Sequence, residues 1–232
     1  MYGTQLKNVD NTEYLGVIIN NKLSRSPHIN KICRQTLNKM NAISKCLAKC
    51  DTNAKKLAYE SVIRPNIEYA SVVWNPHTID NINRLEKINK LGKNFVNKQN
   101  NGLPYTPDYA IKRRFKNDLK FFHKTHIKEI AVNIKDCYIN PTSYTNLRNN
   151  SCYNIQRHNY ESYKHSYFNR TIVAWNVLDK RWREINDPTI FKESLYDGRM
   201  NAEPSYHSFI RRLGISSLIY QLEHSSPNIT HH

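Results

Sequence analysis

Residues 79–97 read Ile-Asp-Asn-Ile-Asn-Arg-Leu-Glu-Lys-Ile-Asn-Lys-Leu-Gly-Lys-Asn-Phe-Val-Asn. Ile79, Ile82, Leu85, Ile88 and Leu91 recur every three residues. Arg84, Lys87, Lys90 and Lys93 recur at the same spacing, two positions out of phase. At about 100° per residue, two positions amount to about 200°. The stretch therefore predicts an amphipathic helix, capped by Thr78, with a cationic row opposite its apolar row. Glu86 is the one acid inside the row.

The same signal extends in both directions. Ser26-Pro27 marks a helix start with proline at the first position, and Ile29, Ile32, Cys33, Thr36, Leu37, Met40, Ile43 and Leu47 follow at helical spacing. This predicts a helix over about 27–49, with Lys31, Arg34, Lys39, Lys45 and Lys49 on its other positions. A second helix is expected from a Thr52 cap, burying Leu57, Ala58 and Val62 and ending at Pro65. Residues 67–74 are apolar and fit helix or strand. Thr106-Pro107-Asp108 reads as another helix start. Phe115, Leu119, Phe122, Ile127 and Ile130 form the buried side of that helix. Lys112, Lys116, Lys120, Lys124 and Lys128 form its polar side, flanked by Arg113 and Arg114. Four like-charge pairs at this spacing cost a helix about 1–2 kcal/mol at low salt. A phosphate backbone converts that cost into attraction; screening by salt is the bland alternative.

Outside these helices, Tyr14-Leu-Gly-Val-Ile-Ile is β-rich and ends in an Asn20-Asn21 turn, which predicts a short strand or hairpin arm. Residues 136–165 look irregular. Pro188 reads as a break, Phe191–Leu195 as a helical turn, and 209–222 as a last apolar helix.

The chain has 232 residues, 35 Lys+Arg against 19 Asp+Glu, a net charge of +16 and a pI near 9.6. That balance points to a polyanionic partner. At 11% aromatic content the chain is not wholesale disordered. No apolar run reaches the ~20 residues of a membrane span, and MYGTQLKNVD has no secretory apolar core. Five cysteines, an odd count, are read as free thiols of a reducing compartment, nuclear or cytoplasmic. The sequons at Asn149, Asn169 and Asn228 are read as accidental.

Catalytic motifs are absent. No two acids are adjacent, so the carboxylate pair of a two-metal polymerase site is missing. There is no Walker loop, G-x-S-x-G or H-E-x-x-H. His123 and His126, or Cys137, Cys152, His158 and His165, lack the spacing of a zinc site. They are read as surface histidines and buried single cysteines, and no metal or catalytic residue is assigned. Tyr144, Tyr153, Tyr160, Tyr163 and Tyr167 interleave with Arg148, Arg157, Lys164 and Arg170. That mixture suits base stacking with phosphate contact, or an irregular segment fixing itself with aromatics.

Five stretches in order resemble one family. Glu13-Tyr-Leu-Gly-Val-Ile-Ile, with Lys22-Leu-Ser and Pro27-His-Ile, resembles the YLGV…LSW…HI segment that follows the palm in reverse transcriptases of non-LTR (LINE-type) retrotransposons. Arg64-Pro-Asn-Ile-Glu-Tyr-Ala-Ser-Val-Val-Trp-Asn-Pro-His-Thr resembles that family's RPxLEYAsxVWNPHT signature. Residues 82–96 resemble the IxxLExVQRRAxRFV helix, Ile111-Lys-Arg-Arg the LxxRR helix, and 164–178 the SFFPRTIxxWNxLP tail. The sequence departs from the pattern at Arg25 (family Trp), across Lys90-Leu-Gly-Lys-Asn (family RRAxR), and at Asp179 (family Pro). The matches span about 13–178. The family's palm, with its Tyr-x-Asp-Asp segment, has no counterpart here.

The resemblance implies the thumb and C-terminal region of an RNA-directed DNA polymerase truncated before its palm and inactive alone. Its expected partners are RNA and DNA as template–primer duplex, together with the palm or another protein on an exposed apolar face. No cofactor is expected, since Mg²⁺ belongs to the palm. The expected fold is mainly α, a thumb-like helical bundle with a short N-terminal β element and a less regular C-terminal region. The expected divisions are 1–24, the end of the palm; 25–135, a basic helical domain; and 136–232, the C-terminal region. The nucleic-acid-binding residues assigned are Arg84, Lys87, Lys90, Lys93, Lys112, Arg113, Arg114, Lys116, Lys120, Lys124 and Arg170. The alternative is a relic or domesticated protein-interaction module with no nucleic-acid role.

Overall fold

A computed structural model describes residues 8–98, 102–139, 153–156, 159–197, 199, 203–213 and 216. It is mainly helical, with one short antiparallel hairpin at its start. The chain divides into two compact units. The first comprises 1–76 and 80–113, the second 77–79 and 114–232.

The first unit opens with β1 (Asn11–Tyr14) and β2 (Val17–Asn20), paired Asn11 to Asn20 and Tyr14 to Val17. Leu15 and Gly16 both have positive φ, 47° and 82°. That is the geometry of a two-residue hairpin turn whose sense matches strand twist. Gly16 suits it. Leu15, with a Cβ, does so at a conformational cost of about 1 kcal/mol.

Helix α1 (Ser26–Cys46) follows, with Pro27 in its first turn, and buries Ile29, Ile32, Cys33, Thr36 and Met40 on one face. Helix α2 (Thr52–Ala58) is capped by Asp51, whose side chain accepts the Ala54 N–H at 2.8 Å, so the cap lies one residue before the expected Thr52. Pro65 does not terminate this segment in coil. The chain widens into a π-helical turn (Tyr59–Ile63), and Pro65 then opens a 3₁₀ turn (Arg64–Ile67). Proline lacks an N–H, and the first position of a helical turn does not need one.

The ambiguous stretch forms no strand: residues 68–70 are a turn and 71–74 a single helical turn. Ala70 sits at φ 52°, reversing the chain into the short α3 (Ser71–Trp74). The Trp74 indole N–H donates to the Tyr69 carbonyl at 2.7 Å. Helix α4 (Ile79–Asn97) begins directly after Thr78. Its residues Leu85, Ile88, Phe95 and Val96 join Ile29, Met40, Tyr59, Ile63, Ile67 and Trp74 in one core.

Helix α5 (Ala110–His126) starts two residues after Asp108, later than the local start signal implied. The reason is tertiary. The buried Glu86 carboxylate of α4 accepts the Ala110 and Ile111 N–H groups at 3.0 and 2.7 Å. These are two of the N–H groups that a helix start leaves without intrahelical partners.

In the second unit, α6 (Glu161–Lys164), α7 (Tyr167–Val177), α8 (Lys180–Arg183), α9 (Pro188–Tyr196) and α10 (Glu203–Leu213) accompany the α5 residues from 114 onward. Pro188 starts α9 rather than breaking a helix. Asp187 caps it by accepting the Thr189 and Ile190 N–H groups at 2.7 and 3.2 Å. The core combines Phe115, Leu119 and Phe122 of α5 with Trp175, Phe191, Tyr206 and Phe209.

The partition passes inside α5, between Arg113 and Arg114, and groups the hairpin with the helices after it. It therefore does not follow the expected divisions at 24/25 and 135/136. The expected divisions follow from the resemblance to a palm end and a thumb, and from the irregular composition after 135. A continuous helix with different core contacts at its two ends gives neither signal. Half of the segment expected to be irregular lies outside the described residues, as do Tyr144, Arg148, Arg157, Cys152, His158 and most of the last expected helix beyond Leu213.

Candidate nucleic-acid interface

The residues upstream of the α4 cations explain why α4 sits as it does. Arg64, Glu68 and Arg113 form a linked set. The Arg64 Nε donates to the Glu68 carboxylate at 3.0 Å, and the Arg113 Nε donates to the same oxygen. The Arg113 Nη1 also donates to Asn89 Oδ1 at 3.0 Å and to the Asp108 carbonyl. Tyr59 donates to the same Asn89 oxygen at 2.8 Å. Burial works against the Arg113 charge, but Glu68, Tyr59 and Glu86 together outweigh it and raise the guanidinium above its usual range. The Arg64–Thr78 stretch thus owes its pattern to core construction: an ion-paired glutamate, a chain reversal at Ala70 and a buried Trp74.

On α4, Arg84, Lys87 and Lys90 are exposed and Lys93 is half-buried. Lys87, Lys90 and Lys93 have no acidic partner among the described residues. The Arg84 Nη1 donates to Asn30 Oδ1 of α1. The row is not a straight stripe. A three-residue repeat falls about 60° short of a full turn at each step, so it winds around the helix. Leu91, last of the apolar row, is accordingly 39% exposed, while Lys93 turns partly inward. Glu86 does not balance the row in solvent, because it is buried and engaged with α5.

The α5 row behaves differently. Arg113 and Arg114 are buried and cannot present a guanidinium to an external phosphate. Lys112, Lys116, Lys120 and Lys124 are half-buried. The Lys116 ammonium lies 5.2 Å from the centre of the Tyr196 ring, and Lys124 pairs with Glu129 at 2.6 Å. Lys128 falls beyond the helix, at φ 60°. Arg170 is also buried, its Nε and Nη2 donating to the two Asp118 oxygens at 2.9 and 3.2 Å. The assignments of Arg113, Arg114 and Arg170 as nucleic-acid contacts are therefore corrected. Spacing alone does not separate an exposed cation from one paired with a buried acid.

Sequence reasoning missed a stripe on α1. Asn30, Arg34, Asn38, Asn41 and Lys45 are all exposed, and their spacing places them on one helical face opposite Ile32 and Thr36. The Arg84–Asn30 contact joins this face to the α4 row, and Asn81 Nδ2 donates to Ser26 Oγ at 3.0 Å one turn earlier. Counting amides together with cations by helical angle would have found it, since both donate to phosphate.

The histidines expected at the surface are elsewhere. His123 is buried, its Nε2 donating to the Ile185 carbonyl at 2.6 Å and its ring stacked on Phe191 at 4.0 Å. His126 is half-buried, its Nδ1 hydrogen-bonded to the Tyr153 hydroxyl at 2.6 Å. Cys137, expected to be buried, is exposed. Among the described residues no three His, Cys, Asp or Glu side chains gather as a metal set. No described helix is long and apolar enough to cross a membrane.

The first unit carries 18 basic and 8 acidic residues, and part of that excess is presented by the exposed cations of α4 and α1. What this arrangement can do chemically is hold phosphates. No family model matches the chain, and no curated protein or solved structure matches it.

Proposed function

We propose that this chain is the thumb and C-terminal region of a non-LTR retrotransposon reverse transcriptase, and that it holds template–primer duplex, RNA and DNA, through Arg84, Lys87, Lys90 and Lys93. The observation that carries the reading is the set of α4 lysines with no acidic partner among the described residues. The five ordered resemblances support the family. The half-buried Lys112, Lys116, Lys120 and Lys124 set the local positive field rather than each meeting a phosphate. On this reading the chain extends no primer alone, Mg²⁺ belongs with the palm, and the protein works in the nucleus or cytoplasm.

The test is a salt titration of duplex affinity. Each phosphate contact contributes about 0.9 to the slope of log K against log salt. Lys87→Ala with Lys90→Ala should lower the slope by nearly 2 and weaken binding to all sequences alike. An affinity indifferent to salt overturns the reading.

One observation favours the alternative of a protein-interaction module. Tyr14, Leu15 and Leu23 in and after the hairpin, with Tyr69 and Val73, are large apolar side chains left exposed, Leu15 by 72%. The Tyr69 hydroxyl donates to the Leu15 carbonyl at 3.2 Å, so the hairpin tip and Tyr69 are neighbours. Failure to bind duplex even at ~50 mM salt would transfer the case to this reading.

A further inference from the structure

His28 lies in the first turn of α1 and is buried, its surroundings drawn from three elements. Its Nδ1 accepts the Ile18 backbone N–H of β2 at 3.3 Å. Its ring meets the Trp74 indole of α3 edge-on, 5.2 Å between centres and 61° between planes. The charged groups facing it are Lys31 on its own helix and Glu13 on β1, and those two pair with each other at 2.5 Å.

An Nδ1 that accepts a hydrogen bond is unprotonated. Three conditions keep the ring neutral. Burial comes first, then the Lys31 charge, and Glu13 opposes them without prevailing, so the pKa is lowered from its ordinary value. The positive end of the α1 dipole adds to the same preference. Protonation would aim one N–H donor at another, at the hydrogen bond that joins α1 to the β2 backbone.

We propose that His28 is a pH-operated latch for the N-terminal hairpin. The neutral ring holds β2 to α1 through Ile18, and the protonated ring releases β1 and β2 while the helices stay folded. The remaining ties are the Glu13–Lys31 pair, the Tyr69–Leu15 hydrogen bond and the burial of Val17. They stay in place at the onset of release, so the hairpin loosens rather than unfolding the unit. The inference does not depend on nucleic-acid binding.

The test follows amide exchange protection and ¹⁵N chemical shifts of the whole chain between pH 7.5 and ~4.5, where histidine titrates when lowered from ~6.5. Protection at Ile18 should fall at least tenfold with a midpoint matching the His28 ring titration, while α4 amides keep theirs. His28→Asn, whose Oδ1 accepts but does not titrate in this range, should flatten the Ile18 profile. Glu13→Gln, which removes the one charge that raises the His28 pKa, should move the Ile18 and His28 midpoints down together. His28 titrating with Ile18 protection unchanged overturns the latch, as does an unaltered transition in His28→Asn. Should His28→Asn fail to fold, the coincidence of the two wild-type midpoints decides alone.

Discussion

The ring of Tyr59 occupies the space a side chain at residue 92 would need. A Cβ built on Gly92 would lie 2.0 Å from Tyr59 Cε2 and 2.4 Å from Cδ2. The ring cannot swing aside freely, because it is fully buried and its hydroxyl is tied to Asn89. Gly92 stands where the resembling helix pattern has alanine. The departure is thus matched by a large aromatic entering from the π-helical turn.

Gly92→Ala should therefore destabilise despite alanine's better helix propensity. Overpacking costs about 1–3 kcal/mol and the propensity gain returns up to about 1. A net loss of about 1–2 kcal/mol is expected from urea unfolding. Tyr59→Leu alone should also destabilise, and the pair should couple favourably by about 1 kcal/mol or more in a double-mutant cycle. Strict additivity would mean that the close approach carries no weight.

Glu86 is a cap supplied from another helix. Glu86→Ala leaves the Ala110 and Ile111 N–H groups buried without their acceptor, at about 1–3 kcal/mol for an unsatisfied buried donor. Glu86→Gln keeps one of the two acceptors and should lose about half as much. Hydrogen exchange should show the first turn of α5 opening in the alanine variant before α4 loosens. Equal losses in the two variants would argue against capping.

Arg170 separates a structural cation from a binding one. It and Asp118 are each 1% exposed at the side chain and bonded through two nitrogens. Removing one partner of a buried pair typically costs about 3–5 kcal/mol. Arg170→Met should lower the unfolding midpoint steeply, yet leave the salt slope of duplex binding unchanged for the fraction that remains folded. A lower slope with unaltered stability would return Arg170 to the interface.

Element type was legible where one period dominated. The apolar spacing of 29–47 and 79–96 located α1 and α4, and the β-rich run at 14–19 located the hairpin, although its turn falls at Leu15-Gly16 inside that run rather than at Asn20-Asn21. What stayed illegible was set by partners distant in sequence. The late start of α5 depends on Glu86, 24 residues earlier. The burial of Arg170 depends on Asp118, 52 residues earlier. Pro65 and Pro188 were read as terminators because a proline signals both the end of one helix and the start of the next. At the candidate interface, the cationic row on α4 was legible because it faces solvent. The cations of α5 misled because that helix is covered on several sides. The α1 stripe was overlooked because three of its five members are uncharged.

Acid should destabilise the second unit through His123 and His126. Burial is the main cause lowering both; the Ile185 hydrogen bond opposes it at His123, and the charges of His123 and Arg183 add to it at His126. The unfolded chain then binds protons that the folded unit refuses, so stability rises with pH between the folded values and the unfolded value of about 6.5. The stabilisation is fully present above that value and is lost progressively as pH falls below it. His126 Nδ1 shares a hydrogen bond with the Tyr153 hydroxyl, whose own pKa burial raises to about 12. Thermal melts of the second unit's Trp175 neighbourhood should therefore show a falling midpoint from pH 7 to 5. His126→Gln, which supplies a non-titrating acceptor, should shallow that slope, and His123→Phe should shallow it further by removing the second proton site. A wild-type midpoint flat over this range would mean that both rings accept protons in place, and the enclosure of His123 between Phe191 and Trp175 would then be looser than its geometry indicates.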